Sequence, residues 1–149
     1  NFYSWKWNVN FAQSKTNRVV ELAPKMSRSS NFEYESLYYD LIGTKYEGKC
    51  PDLKIDGLWY EHEGFVTDNP KRAFRNMLSH GLKQSNRIIM DKPDLTERHM
   101  KRCIQNRINN GEDIVEIWLR DNDGNITLLY KKTDGWPKVS PRWQRIGSH

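Results

Sequence analysis

Along the chain the spacing of apolar residues alternates between helical and strand-like, and those changes map the elements. Residues 1–30 are rich in Asn, Ser, Lys and Trp and lack sustained periodicity. Pro24 and the run Ser27-Arg28-Ser29-Ser30 mark a boundary, so this stretch reads as an N-terminal arm or linker. Tyr34, Leu37, Tyr38, Leu41 and Ile42 then recur at helical spacing behind a Ser30-Asn31 cap, and Gly43 closes a first helix. From Pro51 the period becomes two. Asp56-Gly57, between the runs Asp52 to Ile55 and Leu58 to Phe65, predicts a two-residue hairpin turn. That turn sets Ile55 opposite Leu58, Lys54 opposite Trp59, Leu53 opposite Tyr60 and Asp52 opposite Glu61. One face then carries Leu53, Ile55, Leu58 and Tyr60; the other carries Asp52, Lys54, Trp59, Glu61 and Glu63.

A second helix is expected from about Pro70 to Lys83, with proline in its first turn and an apolar stripe of Phe74, Met77, Leu78 and Leu82. A short strand follows at Arg87 to Asp91. A third helix is read from about Leu95 to Asn109, capped at or near Asp94 and ended by Gly111. Ile114 to Arg120 and Asn125 to Lys132 form a second hairpin around Asp121-Asn122-Asp123-Gly124. Its predicted apolar face joins Val115, Ile117 and Leu119 to Ile126, Leu128 and Tyr130. The order α-β-β-α-β-α-β-β predicts one small α+β domain at 31–132. Its sheet is mixed, mostly antiparallel, with two hairpins and three flanking helices. Residues 133–146 read as a tail and Gly147-Ser148-His149 as a tag remnant. The opening Asn1-Phe2-Tyr3 without Met reads as a piece of a longer protein. No internal repeat or low-complexity tract appears.

Composition narrows the classes. The 149 residues are 36% hydrophobic, which supports only a small core, and eighteen aromatics supply much of its area. No run approaches the roughly 18 to 20 apolar residues of a membrane helix, and no secretory signal opens the chain. Cys50 and Cys103 read as thiols in a reducing compartment, and the four histidines lack zinc-ligand spacing. A net charge of +5 suits a polyanionic partner such as nucleic acid.

The candidate chemistry lies on the first hairpin. Asp52 and Glu61, directly opposite, repel each other by some tenths of a kcal/mol unless a cation bridges them. Hard oxygen ligands of this kind suit Mg²⁺ or Mn²⁺, which activates water and stabilises a leaving oxygen in phosphodiester cleavage. The plain alternative is a solvated acidic face. Glu63 adds a third acid, and Lys54 or a helix cation would be needed to neutralise the site. Arg72, Arg75, His80 and Lys83 recur along the second helix and read as phosphate contacts, with Arg87 at the following strand joining them. Lys83 is the cation expected to reach the carboxylates and stabilise transition-state charge. Glu33 and Glu35 sit in the first turn of the first helix, where they also favour the helix dipole. His62 points to the core side and reads as structural. Trp59 and Trp118 fall on wet sheet faces, to stack on bases or be covered by the terminal arms.

These residues resemble a known family. Cys50-Pro51-Asp52, Ile55-Asp56-Gly57 and Tyr60-Glu61 are similar to the "PD…xG…(D/E)" signature of nuclease toxin domains from contact-dependent growth inhibition systems, especially the transfer-RNA nuclease type. Leu82-Lys83-Gln84-Ser85-Asn86-Arg87-Ile88-Ile89 resembles that family's helix-to-strand segment. Ile114-Val115-Glu116-Ile117-Trp118 and Asp123-Gly124-Asn125-Ile126 resemble its closing hairpin. The resemblance spans residues 31–132 and implies a PD-(D/E)XK-like core. The implied site is Glu33 or Glu35 with Asp52, Glu61 and Lys83, and a divalent metal on Asp52 and Glu61. Glu63 stands where a standard ExK motif has Lys. The resemblance also implies RNA, transfer RNA first, as substrate and a cognate immunity protein as partner. It further implies action in a bacterial target-cell cytoplasm after delivery within a larger secreted or phage protein.

Two other readings compete. A metal-independent ribonuclease of the barnase/EndoU/colicin/RelE-like kind would use His80, Lys83, Arg120 and Lys131. A non-enzymatic RNA-binding or adaptor module would use the acidic sheet face for docking.

Overall fold

The computed structural model describes the backbone of residues 20–22 and 31–132 and the side chains of 34–132. Strand β1 (Val20–Leu22) is followed by helix α1 (Asn31–Leu37) and a 3-10 turn at Tyr39–Leu41. Then come β2 (Leu53–Ile55), β3 (Leu58–Glu63), α2 (Pro70–Gln84), β4 (Arg87–Asp91), α3 (Glu97–Asn109), β5 (Glu116–Arg120) and β6 (Ile126–Lys131). The strands form one sheet in the order of the chain. β1, β2 and β3 pair antiparallel, β3, β4 and β5 parallel, and β5 and β6 antiparallel. This is the expected α+β class with a mixed sheet and two hairpins. β1 was not expected, because Val-Glu-Leu is too short to show a period. The predicted tail at 133–146 and tag remnant at 147–149 lie outside the described residues.

The Asp56-Gly57 turn forms with both residues at positive φ, 51° and 80°, as a type I′ turn requires. Its register is the predicted one: Leu53 faces Tyr60, Lys54 faces Trp59 and Ile55 faces Leu58. α2 starts where Asn69 accepts a hydrogen bond from the Arg72 amide at 3.0 Å, with Pro70 behind it. α3 is capped by Thr96 rather than Asp94. α2 ends at Ser85, whose hydroxyl donates to the Trp59 carbonyl at 2.9 Å and accepts from the Arg87 amide at 3.0 Å. That one side chain ties the helix end to the start of β3 and aims β4.

α2 and α3 pack on one sheet face over Ile88, Met90, Ile117, Leu119 and Leu129, with Phe74, Met77, Leu78, Met100 and Ile104 from the helices. α1 and the 3-10 turn cover the same face farther along, closing Tyr34, Tyr38, Leu41 and Tyr46 over Trp59. The opposite face holds a second buried cluster: Leu53, Ile55, Tyr60, Ile89, Trp118, Ile126 and Leu128. Here the structure corrects the predicted second hairpin. Register shifts between Ile117 and Trp118, so Trp118 pairs with Leu128 and Ile117 with Tyr130. The irregularity moves Ile126 and Leu128 onto the Trp118 face, while Ile117 and Leu119 stay under the helices. Trp59 and Trp118 are accordingly buried rather than on wet faces. Among the described residues no helix is long and apolar enough to cross a membrane.

Candidate active site

The structure brings Asp52 and Glu61 together. Asp52 immediately precedes β2, and the register carried one step past Leu53 and Tyr60 sets it opposite Glu61. Both are buried, 5% and 7% exposed. Asp52 Oδ2 accepts the backbone N–H of His62 at 3.1 Å, which holds the carboxylate against β3. Glu63 projects to the same side as Glu61, beneath α2. A Cβ placed on Gly81 would stand 3.2 Å from Glu63 Cγ and 2.7 Å from Ile88 Cδ1, so glycine there lets the helix close down on the strands. Nearby, Tyr38 donates to the Pro51 carbonyl at 3.3 Å. Burial drives the Tyr38 phenol far above its ordinary range, and Cys50 and Asp52 add to the rise. Two acids stand on adjacent strands, both withdrawn from water, and the like-charge term between them opposes folding. Such departures from structural economy gather at functional sites.

The other predicted members stand elsewhere. Glu35 is exposed on α1. Glu33 lies in α1 with its side chain outside the described set. Lys83 is exposed and, among the described residues, joins no ion pair. Gly81 is the position of α2 that meets the sheet, and Lys83, two residues on, lies roughly 200° round the helix. It therefore shares the outward side of α2 with Arg72 and Arg75, and His80 is exposed on a flank. The expected approach of the Lys83 ammonium to the carboxylates is not what this helix phase produces. Lys54 pairs with Asp40 at 3.2 Å and lies over the rings of Tyr39 and Trp59, at 5.0 and 5.1 Å. Arg87 is half-buried and donates from Nε to Glu116 at 2.8 Å. Outside the predicted set, Arg98, Lys101, Arg102 and Gln105 of α3 line a shallow groove. The run Arg98-His99-Met100-Lys101-Arg102 was the available signal.

On the far face, Asp91 receives His62 Nε2 at 3.3 Å and Arg120 Nε at 3.0 Å. Arg120 thus lies across the sheet from the outward stripe of α2, and the metal-independent set of His80, Lys83, Arg120 and Lys131 does not assemble. Burial alone raises the Asp91 carboxyl, but hydrogen bonds from His62 and Arg120, together with their charges, bring it below its ordinary value. A depressed carboxyl stabilises the fold fully above its unfolded value, about 3.9, and loses that contribution as pH falls through the lower folded value. Thermal melts should therefore show Asp91→Asn trailing the parent most at neutral pH, with the gap narrowing below about pH 4. A gap independent of pH would assign the loss to packing instead.

Among the described residues no group of three or more His, Cys, Asp or Glu is arranged to hold a metal ion. Comparison with family models, curated proteins and solved structures returned no match.

Proposed function

We propose that the chain is an endonuclease that hydrolyses RNA phosphodiester bonds, transfer RNA first, at the acidic pair Asp52 and Glu61. The observation that carries this reading is the burial of those two carboxylates side by side on adjacent antiparallel strands. The topology around them supports it as well. A hairpin bearing both acids is followed by a helix and a strand, the order implied by the resemblance to growth-inhibition nuclease toxins. The donor set fits Mg²⁺ or Mn²⁺: Mg²⁺ is commonly held by one or two carboxylates and keeps several waters, so a third protein ligand is not required. Asp52 and Glu61 would hold the ion. When bound, it would lower the pKa of a coordinated water and offset charge on the phosphate.

The remaining roles belong to the chain itself. The His62 amide fixes the Asp52 carboxylate. Gly81 lets α2 descend over Glu63. The outward cations Arg72, Arg75 and Lys83, with His80, would meet the phosphate backbone, and Arg98, Lys101 and Arg102 of α3 extend the same chemistry. Lys83 is assigned to binding rather than to the reacting phosphate. Delivery into a competing bacterial cell and pairing with an immunity protein belong to this reading too.

The test is incubation of the purified full chain with total transfer RNA and with duplex DNA, with EDTA and with Mg²⁺ or Mn²⁺ restored. Cutting of RNA that EDTA stops and metal restores is the expected result. Cutting that resists EDTA would move the chemistry away from Asp52 and Glu61. No cutting of either polymer would leave a binding or adaptor module.

A further inference from the structure

A cavity of about 350 Å³ opens where the 3-10 turn, the β2–β3 turn, the end of α2 and the start of β4 converge. Leu41, Leu58 and Trp59 give it apolar wall, and Tyr46, Gln84, Arg87 and Asp113, with the charged Asp40 and Lys45, are among its polar lining. Tyr46 is only 9% exposed, and its hydroxyl is buried without a hydrogen-bond partner among the described residues. Such an atom is rare in folded proteins and asks for an explanation, one of which is a ligand. Burial pushes the Tyr46 phenol up to about 12, with Asp113 raising it and Arg87 opposing, so it keeps its proton at neutral pH.

The other lining groups have bonding capacity left over. Gln84 uses its oxygen to accept from the Cys50 amide at 3.1 Å, leaving the amide NH₂ as a donor. Arg87 commits Nε to Glu116 and Nη1 to Asn86, leaving Nη2. Asp113 accepts from Asn86 at 3.0 Å and from Lys132 at 3.3 Å with lone pairs to spare. The lining therefore holds donors and an acceptor beside an apolar wall, with a hydroxyl that serves as either. A flat heteroaromatic ring with donors and acceptors on its edge matches that lining, and such pockets are the usual form of small-ligand sites.

The cavity also adjoins the acidic pair. Trp59, in its wall, precedes Glu61 by two residues on β3, about 7 Å along the strand. Gln84 anchors the backbone two residues ahead of Asp52.

We propose that this cavity receives one unstacked nucleobase of the substrate strand, beside the phosphodiester that Asp52 and Glu61 address. The link to a strand rests on the nuclease reading; the base site itself does not. Sequence-selective RNA recognition commonly splays out single bases in this way.

The four ribonucleoside 5′-monophosphates and ribose 5-phosphate, titrated into the full chain by calorimetry or NMR, test the proposal. At least one nucleotide should bind, with ribose 5-phosphate weaker by about tenfold or more. Tyr46→Phe should weaken that nucleotide on the order of tenfold, the scale of one lost hydrogen bond. Its melting temperature without nucleotide should stay level or rise, since the change removes a buried polar atom. Leu58→Trp, made from a position 39% exposed at the cavity wall, should block binding by filling the space. Asp52→Asn should stop cutting yet bind the nucleotide as the parent does. Binding without any cutting upholds the base site and sinks the nuclease reading. The proposal is overturned if no nucleotide binds, if ribose 5-phosphate binds equally well, or if Tyr46→Phe leaves affinity unchanged.

Discussion

Asp52→Asn and Glu61→Gln should each lower RNA cleavage on the order of 100- to 1000-fold while leaving the melting temperature level or slightly higher. Both changes keep size and shape and remove a single charge. Asn at position 52 still offers an oxygen to the His62 amide, now at 3.1 Å from Asp52 Oδ2, so the local backbone keeps its anchor. The like-charge term between two carboxylates on neighbouring strands, some tenths of a kcal/mol, is removed. Rate and stability then move in opposite directions, which a structural carboxylate would not do. Lys83→Ala is the informative companion. From the outward side of α2 it should weaken RNA binding and reduce the salt dependence by about one phosphate contact, without removing chemistry. If it instead eliminates cleavage at saturating RNA, Lys83 reaches the phosphate after all. If Asp52→Asn and Glu61→Gln cut normally, the acidic pair is not the site.

What the residues announced and what they concealed differ for physical reasons. The Asp56-Gly57 turn was legible because a type I′ turn needs positive φ at both positions, and few pairs other than Asn-Gly and Asp-Gly provide it. Once that turn was placed, period-two geometry put Asp52 beside Glu61 without further information. Helix α2 was equally plain from Pro70 and the stripe Phe74, Met77, Leu78. The reading of Lys83 went astray on phase. The stripe Phe74, Met77 and Leu78 already sets Lys83 on the opposite side of the helix, and Gly81, where the helix touches the sheet, fixes the same phase. Counting from Gly81 turns Lys83 outward. The faces of the second hairpin were misread because an irregularity in register has no marker beside a run such as Leu128-Leu129-Tyr130, where either alternation is apolar. The cavity was invisible for a different reason. Tyr46, Leu58, Gln84, Arg87 and Asp113 come from separate segments that only the tertiary fold gathers.

Glu116→Ala should be the most destabilising of these substitutions, costing about 3 kcal/mol in urea or thermal unfolding. Glu116 is 6% exposed and accepts from Tyr60 at 3.0 Å, Arg87 Nε at 2.8 Å and Trp118 Nε1 at 2.9 Å. Removing it takes away the acceptor that three donors from β3, β4 and β5 share, and those strands form the middle of the sheet. The Arg87 side chain, 24% exposed, regains part of its hydration, which places the loss at the lower end for a broken buried pair. Glu116→Gln keeps an oxygen for Tyr60 and Trp118 but gives up the charge that Arg87 meets, so roughly 1 to 2 kcal/mol is expected. Cleavage per folded molecule at saturating RNA should stay close to the parent in both variants, because the Glu116 cluster faces away from the side of the sheet that carries Glu61, while nucleotide affinity should fall because Arg87, in the cavity wall, loses its anchor. This separates two kinds of buried acid in one sheet. At Glu116 the carboxylate is a junction for donors, and losing it loosens the fold. At Asp52 and Glu61 two carboxylates face each other, and losing one costs chemistry. If Glu116→Ala were nearly as stable as the parent but slow in cleavage, the structural role would pass from it to its neighbours, and the active site would have to be redrawn through the sheet.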